Sequence, residues 1–380
     1  MDADSARQTG LGATILLAAG GTGGHLFPAY ALAEELGRRG FVVELATDMR
    51  GDRYGTGFPA RKVHQIPSAT LASKSPVAVA STALALSRGV AAAVALMGEI
   101  KPSAVVGFGG YPTFPPLIAA RLRRVPSALH EQNAVLGRAN RMLARRVDVV
   151  ATSFADVEHV DAKVAAKVRL TGNPVRDTVI AAARMPYSPP AGAAPISLVV
   201  FGGSQGARFF SDAVPSALAR LPLDQRMRLT VVQQAREEDL QRVTAAYAEA
   251  GIAARVAAFF PDLPQIMAAS HLVIARAGAS SIAELTVIGR PSILVPLPHA
   301  LDNDQLRNAA SLAQAGGAWL MEQKDLTPER LAGEVARLFD TPDRLAAAAA
   351  AARSRGRPDA VLQLADVVGE LALRRVALAG

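Results

Sequence analysis

The chain has 380 residues, of which 50% are hydrophobic, and it contains no cysteine. It carries 41 basic and 33 acidic residues, which give a formal net charge of +8. A chain of this length is expected to form two domains, and the missing cysteines exclude disulfides and thiolate metal sites. The first residues are polar and acidic and lack the basic and apolar regions of a secretory signal, so none is predicted.

The positive charge lies almost wholly in the first half of the chain. Residues 1–173 contain 20 Lys/Arg and 13 Asp/Glu, whereas residues 174–380 contain 21 and 20. Such an asymmetry is typical of proteins that bind nucleic acid or an anionic membrane. A chance distribution of charge over solvated faces explains it equally well.

The first predicted element is a strand that runs through a glycine turn into a helix. Residues 15–18 are apolar, the next glycines stand at 20, 21, 23 and 24, and Pro28 is expected to open a helix that ends near Arg39. The N–H groups of such a turn and the positive end of the helix dipole favour a bound anion. His25 directly follows these glycines, which makes it a candidate general base, although a lone histidine is often structural.

Predicted strands at 41–47 and 61–67 precede an apolar, Ala-rich segment at 77–97. Serine, threonine and arginine interrupt this segment, so we expect a packed helix rather than a membrane span, which needs about 20 strongly apolar residues. The preceding loop, residues 71–79 with Lys74, either dips into a membrane surface or simply leads into the helix.

A strand from residue 103 enters a third glycine turn at 107–110, and a strand at 127–130 ends in a polar cluster at 130–133. Arg138, Arg141 and Arg145 then follow at positions i, i+3 and i+7, which places them on one helical face. That face is either a phosphate or lipid-headgroup surface or a solvated basic face.

A proline-rich stretch at 185–195 is predicted to be the interdomain linker. Strands and helices alternate after it, which predicts a parallel sheet. The first of these strands enters GGSQG at 202–206, which aligns with GGTGG at 20–24. We therefore expect two α/β halves, each opening with a phosphate-type loop, and a ligand between them at the carboxyl ends of the strands. The helical tail breaks at 353–359.

Two later motifs each allow two interpretations. Ser281 and Glu284 fit the capping box Ser-x-x-Glu; alternatively, the helix N-terminus faces a pyrophosphate and Glu284 binds a ribose diol. Asp302-Asn303-Asp304 resembles the DxD metal motif of some sugar transferases, but its aspartates can equally cap a helix that starts near Gln305. Neither GxGxxG nor GxxxxGK[ST] occurs in the glycine loops, so neither a dinucleotide dehydrogenase nor an NTPase is indicated.

Six motifs taken together resemble the MurG family of bacterial glycosyltransferases. They are GGTGGH (20–25), HEQN (130–133), GNPVR (172–176), GGSQGA (202–207), ARAGASSIAEL (275–285) and DNDQLRNA (302–309). Members of this family add N-acetylglucosamine to the lipid-linked muramyl-pentapeptide precursor of peptidoglycan. The motifs span nearly the whole chain, and their coincidence makes the resemblance specific. The loop GGYPTFPP (109–116) departs from the small-residue loop of some members.

The resemblance implies a GT-B fold of two Rossmann-like, parallel-sheet α/β domains that face a cleft. Residues 1–173 would form the acceptor and membrane side, residues 174–358 would bind the UDP-sugar, and a C-terminal helix at 360–377 would cross back to the first domain. The resemblance matches His25, Tyr111 and His130 to positions for catalysis or the acceptor. It matches the following residues to contacts with the donor, UDP-N-acetylglucosamine (UDP-GlcNAc): Thr22, Gly23, Gly24, Asn133, Arg176, Ser204, Phe260, Ala279, Ser280, Ser281, Ile282, Ala283, Glu284 and Gln305.

The implied reaction is an inverting transfer to the 4-hydroxyl of N-acetylmuramic acid in undecaprenyl-pyrophosphoryl-MurNAc-pentapeptide (lipid I), with His25 as the base. No cofactor or bound metal is expected, because helix N-termini can stabilise the leaving pyrophosphate. The expected partners are UDP-GlcNAc, lipid I, the anionic cytoplasmic face of the plasma membrane, where the protein would be peripheral, and other cell-wall synthesis and division proteins, but not nucleic acid. Two alternatives remain: another GT-B enzyme, such as a UDP-GlcNAc 2-epimerase, and a non-catalytic nucleotide-sugar-binding scaffold.

Overall fold

A computed structural model describes residues 12–20, 23–48, 57–69 and 75–379 of the chain. The chain separates into two compact units. The first unit is Met1–Arg176 with Pro358–Gly380, and the second is Asp177–Arg357. The first unit therefore extends three residues beyond the expected boundary at 173. The chain re-enters the first unit at Pro358, next to the expected end of the second domain at 358.

The first unit is built on a parallel sheet of seven strands. These strands are Thr14–Ala18 (β1), Val42–Thr47 (β2), Lys62–Gln65 (β3), Ala104–Gly107 (β4), Ser127–Glu131 (β5), Val149–Thr152 (β6) and Val168–Leu170 (β7). Their order in the sheet is β3-β2-β1-β4-β5-β6-β7. The central strands are buried on both faces, which explains their continuous apolar sequences.

Helices cover both faces of this sheet. They are Gly23–Arg38 (α1), Pro76–Ile100 (α2), Phe114–Leu122 (α3), Arg138–Ala144 (α4), Ala162–Ala165 (α5) and, at the end of the chain, Ala360–Ala379 (α15). One core cluster joins the sheet to α1 and α15, and another joins it to α2, α3 and α4. The expected return of the last helix to the first unit is therefore confirmed. Arg39 binds Asp366 at 2.6 Å, and Arg169 binds Glu370 at 2.7 Å.

Helix α1 corrects the prediction that Pro28 opens the first helix. The helix begins at Gly23, so Pro28 lies inside it. Proline cannot donate a hydrogen bond to the carbonyl four residues before it, so the helix lacks the bond that residue 28 would otherwise give to the carbonyl of Gly24. His25 consequently belongs to the first turn of a helix rather than to a loop.

Helix α2 passes the length and hydropathy test for a membrane span over Val79–Ile100. The expectation that this segment is too weakly apolar is therefore not supported by its composition. The helix nevertheless packs against α3, as expected, through a narrow buried stripe that includes Ala93 and Met97. Gly89 lets α2 approach the loop after β3 closely, because a Cβ at this position would lie 2.0 Å from the carbonyl oxygen of Pro67. Most of the remaining helix surface is exposed.

The second unit repeats the architecture with six parallel strands. They are Ile196–Phe201 (β8), Leu229–Gln234 (β9), Ala253–Ala257 (β10), Leu272–Ala275 (β11), Ser292–Leu294 (β12) and Ala318–Leu320 (β13), in the order β10-β9-β8-β11-β12-β13. The helices are Asp177–Ala182 (α6), Gly203–Leu218 (α7), Leu223–Arg228 (α8), Leu240–Glu249 (α9), Leu263–Ala268 (α10), Ala279–Ile288 (α11), Asp304–Gln314 (α12), Pro328–Phe339 (α13) and Pro342–Ser354 (α14).

The prediction that residues 185–195 form the interdomain linker is wrong. The chain changes unit between Arg176 and Asp177, and the proline-rich stretch belongs to the second unit. The buried guanidinium of Arg290 donates to the carbonyls of Met185 and Pro186. Tyr187 donates its hydroxyl to the carbonyl of His271 at 2.9 Å. Prolines lack N–H groups but keep their carbonyls, so this stretch can be fixed by side-chain donors without periodic structure.

Candidate active site

Each sheet places its candidate ligand site beside its first strand. In the first unit β1 lies between β2 and β4, and in the second unit β8 lies between β9 and β11. The strand order therefore reverses at β1 and at β8. In open α/β sheets, ligands bind outside the carboxyl ends of the strands at such a switch point.

His25 and the third glycine turn meet at the switch point of the first unit. A Cβ on Gly110 would lie 3.4 Å from Cε1 of His25 and 3.6 Å from Nδ1. The loss of hydration lowers the pKa of His25, and a hydrogen bond with the backbone of Gly20 partly opposes that shift. The ring is therefore neutral at pH 7. Because one ring nitrogen donates to Gly20, the other is the acceptor of the neutral imidazole.

His130, at the end of β5, is fully buried. Its Nε2 donates to the carbonyl of Gly172 at 2.9 Å, and its Nδ1 accepts from Nε2 of Gln132 at 3.0 Å. Burial lowers its pKa to about 4, and the nearby His25 acts in the same direction. Both ring nitrogens are therefore engaged in a neutral ring that joins β5 to the loop after β7.

Glu131 organises the loop that follows His130. Its carboxylate accepts from the backbone N–H groups of Asn133 and Gly137 at 3.0 and 2.9 Å, and from the Asn140 side chain at 2.6 Å. Burial raises its pKa, although these hydrogen bonds oppose the shift. Asn140 in turn leaves room only for glycine at position 109, where a Cβ would lie 3.1 Å from Nδ2 of Asn140.

The other predicted residues of the first unit lie on several elements. Tyr111 opens a 3-10 helix at Tyr111–Thr113 and is partly exposed. Gly23 and Gly24 are the first residues of α1. The guanidinium of Arg176, the last residue before the second unit, stacks over the ring of Phe27 at 5.0 Å. Thr22 and Lys74 lie outside the described residues.

Arg138 and Arg141 lie on α4, and Arg145 lies directly after it. Arg145 forms an exposed ion pair with Asp161 at 2.6 Å, whereas Arg141 is only partly exposed. These arginines share a helix with Asn140, whose side chain faces Glu131.

The candidate site of the second unit is the N-terminus of α11. Gly278 is the N-cap residue, and no side chain caps the helix. The capping-box interpretation is therefore wrong, because Ser281 lies within the helix rather than before it. Glu284 is 9% exposed and lies one turn further along. The first residues of α11 are half-buried, and Oγ of Ser280 has no hydrogen-bond partner within the described part of the chain.

Arg276 supports this helix end, although the sequence did not single it out. Its guanidinium donates to the carbonyls of Val295 and Pro296, both at 3.1 Å, and to Oε1 of Gln323 at 2.6 Å. It also stacks on the rings of Phe209 and Phe210. Burial lowers its pKa to about 10, so it remains a cation and tethers the loop after β11 to the loop after β12.

Gln305 lies in the first turn of α12. Its Oε1 accepts from the backbone N–H of Leu297 at 3.0 Å, so the amide nitrogen is the group with donors to offer a ligand. Asp304 accepts from the N–H of Gln305 at 2.6 Å, but it lies inside the helix, and the N-cap residue Asn303 forms no side-chain cap. Among the residues that the structure describes, no three His, Asp or Glu side chains are grouped to hold a metal ion.

The remaining two donor-contact residues are placed less directly. Phe260 is buried, and its ring is covered by the guanidinium of Arg255 at 4.9 Å. Any contact of this residue with the nucleobase of the donor is therefore expected from its backbone. Ser204 is the second residue of α7, which follows β8 as α1 follows β1.

Sequence reasoning also missed the supporting roles of Gln132 and Asn308. The side-chain amide of Gln132 donates to the carbonyl of Phe108 at 2.9 Å, and that of Asn308 donates to the carbonyl of Ala277 at 3.1 Å. Both belong to polar motifs that follow a buried strand. A cluster of amides at such a place is the available signal, but it does not reveal which carbonyl each amide will reach.

Comparison with known proteins gives a consistent assignment. Residues 15–152 match the glycosyltransferase family 28 N-terminal domain, and residues 197–364 match its C-terminal domain. The UDP-N-acetylglucosamine–N-acetylmuramyl-(pentapeptide) pyrophosphoryl-undecaprenol N-acetylglucosamine transferases of Mesorhizobium japonicum and a Methylobacterium species are 55% and 57% identical to this chain. The alignments cover 95% and 94% of this chain and 96% and 97% of those proteins.

Among solved structures, the chain is similar to MurG of Acinetobacter baumannii, with a TM-score of 0.78 and 28% identity over 94% of this chain and 99% of that one. The two parallel-sheet units form the GT-B fold expected from the sequence. The chain is thus a glycosyltransferase of family 28 and belongs, within it, to the MurG family.

Proposed function

We propose that the protein transfers N-acetylglucosamine from UDP-GlcNAc to the 4-hydroxyl of MurNAc in lipid I, giving lipid II and UDP with inversion at the anomeric carbon. The observation that carries this proposal is the identity of 55% with the M. japonicum transferase over 95% of the chain. The site residues fit the two halves of that reaction, the donor half in the second unit and the acceptor half in the first.

Donor binding is assigned to the N-terminus of α11 and its surroundings. The uncapped N–H groups and the helix dipole suit the pyrophosphate, and Oγ of Ser280 adds a hydroxyl without a protein partner within the described residues. Glu284 follows one turn later and is the candidate for the ribose diol. Gln305 offers amide donors, and Arg176 and Ser204 are the candidate contacts from other elements. These N–H groups are held in place before the negative charge of the leaving UDP develops.

Base catalysis is assigned to His25. Its lowered pKa keeps the imidazole neutral at physiological pH, and its hydrogen bond to Gly20 leaves the second ring nitrogen to accept the proton of the attacking hydroxyl. We assign His130 a positioning role rather than proton transfer, because both of its nitrogens are engaged. Tyr111 follows Gly110, which lies against His25, and Asn133 follows His130 by three residues; these two residues are the candidate contacts for sugar hydroxyls.

The test is UDP release from UDP-GlcNAc by the full chain, with and without a soluble lipid I analogue. Acceptor-dependent release with a new β-1,4 bond supports the proposal. Epimerisation of the donor without acceptor would instead identify a 2-epimerase, and donor binding without turnover would identify a scaffold.

We further propose that the protein is peripheral and docks on the cytoplasmic face of the plasma membrane through α2. The start of this helix exposes Val77, Val79 and Leu84, with 79%, 46% and 52% of their surfaces accessible. Exposed apolar surface beside an excess of basic residues suits an anionic bilayer. This placement brings the protein to its lipid-linked acceptor and to other wall-synthesis and division proteins.

Vesicle sedimentation tests this placement. Leu84→Asp should weaken binding to phosphatidylglycerol vesicles roughly 10–100-fold, since burial of one leucine contributes about 1.5–3 kcal/mol. Leu223→Asp is the matched control, because Leu223 is 61% exposed on the second unit. Equal losses in both variants, or binding that does not respond to salt, would contradict docking through α2.

A further inference from the structure

Phe27 is an exposed aromatic residue on the helix that carries His25. Helix α1 packs on the sheet through buried residues such as Leu26 and Leu32, whereas Phe27 lies outside this cluster with 41% of its surface accessible. Every phenylalanine of the first unit lies in the described part of the chain, and only Phe27 is exposed. Burial in the core therefore does not account for a large ring at this position.

The ring of Phe27 lies against the guanidinium of Arg176. The guanidinium carbon is 5.0 Å from the centre of the ring, within the distance at which a cation is attracted to an aromatic face. A guanidinium that stacks on a ring keeps its N–H donors available, because they lie in its plane. The contact therefore restricts the side chain of Arg176 and leaves its donors able to bind an anion.

The backbone before Arg176 is fixed to the sheet of the first unit. The N–H groups of Thr171 and Gly172 donate to the carbonyl of Thr152 at 3.1 and 3.0 Å. The carbonyl of Gly172 accepts from Nε2 of His130 at 2.9 Å, and residues 171–175 are buried. The freedom that Arg176 retains is consequently that of its long side chain, and arginine is among the residues that lose most side-chain entropy on ordering.

The stack on Phe27 reduces the entropy that Arg176 loses when it binds a ligand. A side chain that is already ordered in the free protein does not have to be ordered in the binding step, so the ligand binds more tightly. Phe27 follows His25 by two residues on α1, and residues two apart do not share a helix face. Loss of the ring should thus act on Arg176 rather than on His25.

We propose that Phe27 is a positioning residue, which stacks on Arg176 and orients its guanidinium for the pyrophosphate of the donor. This inference rests on the proposed function, in which Arg176 contacts UDP-GlcNAc. The ring does not touch the donor. It acts through the arginine, so its contribution disappears when the arginine is removed.

The experiment measures the Kd of UDP by isothermal titration calorimetry, and steady-state kinetics, on the full-length protein. Phe27→Leu keeps an apolar side chain that favours a helix but removes the aromatic face. It should raise the Kd of UDP and the KM for UDP-GlcNAc roughly 2–30-fold, the range that a cation–π contact covers, with little change in kcat. Phe27→Tyr keeps the ring and should leave both constants near those of the unmodified protein.

Phe41→Leu is the matched control. Phe41 is partly buried against the same core cluster as α1, and it belongs to neither the assigned base nor the assigned donor site. The same loss of an aromatic ring in the first unit should therefore leave the Kd of UDP unchanged. Equal weakening by Phe41→Leu and Phe27→Leu would reduce the effect to a general loss of packing and overturn the proposal.

A double-mutant cycle shows whether Phe27 acts through Arg176. Arg176→Gln should itself raise the Kd of UDP, and Phe27→Leu should have no further effect in that background. The same loss with and without the arginine would mean that the ring contacts the donor directly. Unchanged affinity in Phe27→Leu, or a rise in the KM for the lipid I analogue alone, would mean that the stack does not orient Arg176 for the donor. Each of these results overturns the proposal.

Two further measurements keep the outcome unambiguous. Urea unfolding checks that the variants fold, and Arg176→Lys, which keeps the charge but lacks the planar group, changes the same contact from the other side and should also weaken UDP binding. If the unmodified protein binds UDP but releases none from UDP-GlcNAc with the lipid I analogue, the proposed transfer fails, while the calorimetric comparison still decides the role of Phe27. Absence of UDP binding by the unmodified protein would overturn both.

Discussion

The two glycine turns that align in sequence lead to different kinds of site. GGTGG is followed by His25, and the neighbouring strands contribute His130, Glu131 and Gln132, which form a dense side-chain network. GGSQG runs into α7, which begins at Gly203, and the second unit presents the uncapped N-terminus of α11. In the proposed mechanism, one topology thus serves proton transfer in the first unit and binding of the donor pyrophosphate in the second.

The difference shows which part of the fold carries the chemistry. In both units the sheet brings the loops after the first and fourth strands to one edge, but it does not determine what those loops contain. A fold of this kind supports many activities. If the two units divide the reaction in this way, substitutions in the first unit should lower the turnover number, whereas substitutions in the second should lower donor affinity.

The largest effect is expected from His25→Ala. Loss of a general base should lower kcat roughly 10²–10⁴-fold while the KM for UDP-GlcNAc changes little. Because the pKa of His25 is lowered, the rate of the unmodified enzyme should fall only at pH values below those at which an ordinary histidine takes up a proton. Steady-state kinetics as a function of pH tests both points.

Chemical rescue sharpens the His25 prediction. Added imidazole should restore part of the turnover of His25→Ala, and the acid limb of its pH profile should follow the added base. Near-normal turnover of His25→Ala, together with a loss in Ser204→Ala, would show that the base is a different group.

Glu284→Gln should act on the donor instead. A hydrogen bond to a charged group contributes about 1.5–3 kcal/mol, so the KM for UDP-GlcNAc should rise roughly 10–100-fold with a smaller change in kcat. UDP inhibition should weaken to the same extent, because UDP carries the ribose. Inhibition by inorganic pyrophosphate is the control and should stay unchanged, since it lacks the ribose. A fall in kcat alone would contradict the division of roles between the units.

Much of the fold could be predicted from the sequence because its signals are local. Apolar runs such as residues 15–18 and 272–275 appear as buried strands, and the alternation of strands with helices predicted the parallel sheets. The prediction of a linker at 185–195 was wrong. Composition indicates that periodic structure is absent there, but it does not indicate that the distant Arg290 binds the carbonyls of this stretch. The short strand Ala318–Leu320 was not predicted, and three residues give little periodic signal.

The residues of the candidate site could likewise be predicted where their signal is local in sequence and were missed where it depends on distant contacts. His25, the polar cluster at 130–133 and the segment 279–284 follow strands in sequence, so each could be placed at the carboxyl edge of the sheet of its own unit. The capping box failed because Ser-x-x-Glu fits both a cap and an interior turn, and only the backbone distinguishes them. Arg276 and Asn140 escaped notice because their partners, Pro296 and Glu131, become neighbours only on folding.

His130 should make the stability of the first unit depend on pH. Its pKa in the folded protein is about 4, below the ordinary value of about 6.5. Between these two pH values the unfolded chain binds a proton at this ring, whereas the folded chain does not. The stabilisation is complete above pH 7 and is lost as the pH falls towards 4. Between pH 7 and 5 this histidine should account for a loss of about 2 kcal/mol.

Urea unfolding at pH 7 and pH 5 measures the His130 contribution. The loss between the two pH values should be smaller in His130→Gln than in the unmodified protein. His299→Gln is the control, because His299 is exposed, and it should leave the difference unchanged. An unaltered pH dependence in His130→Gln would mean that the buried ring does not stay neutral on acidification.

The smallest effect on turnover is expected from Gly110→Ala, compared with Gly57→Ala. Both glycines have positive φ, +73° and +94°, so alanine should strain the backbone at either position. At Gly110, where ψ is 169°, the strain should cost about 1–3 kcal/mol. Only at Gly110 does the new methyl group reach His25, at 3.4 Å from Cε1, whereas no atom of the described residues lies within 4 Å at Gly57. The methyl group would occupy space beside the ring that the acceptor hydroxyl must approach. We therefore expect kcat per folded enzyme to fall about tenfold, or 1.4 kcal/mol, in Gly110→Ala and to stay unchanged in Gly57→Ala, with urea unfolding used to count the folded fraction. Equal turnover in the two variants would mean that the acceptor approaches His25 from another side, and the third glycine turn would then serve only to shape the backbone around β4.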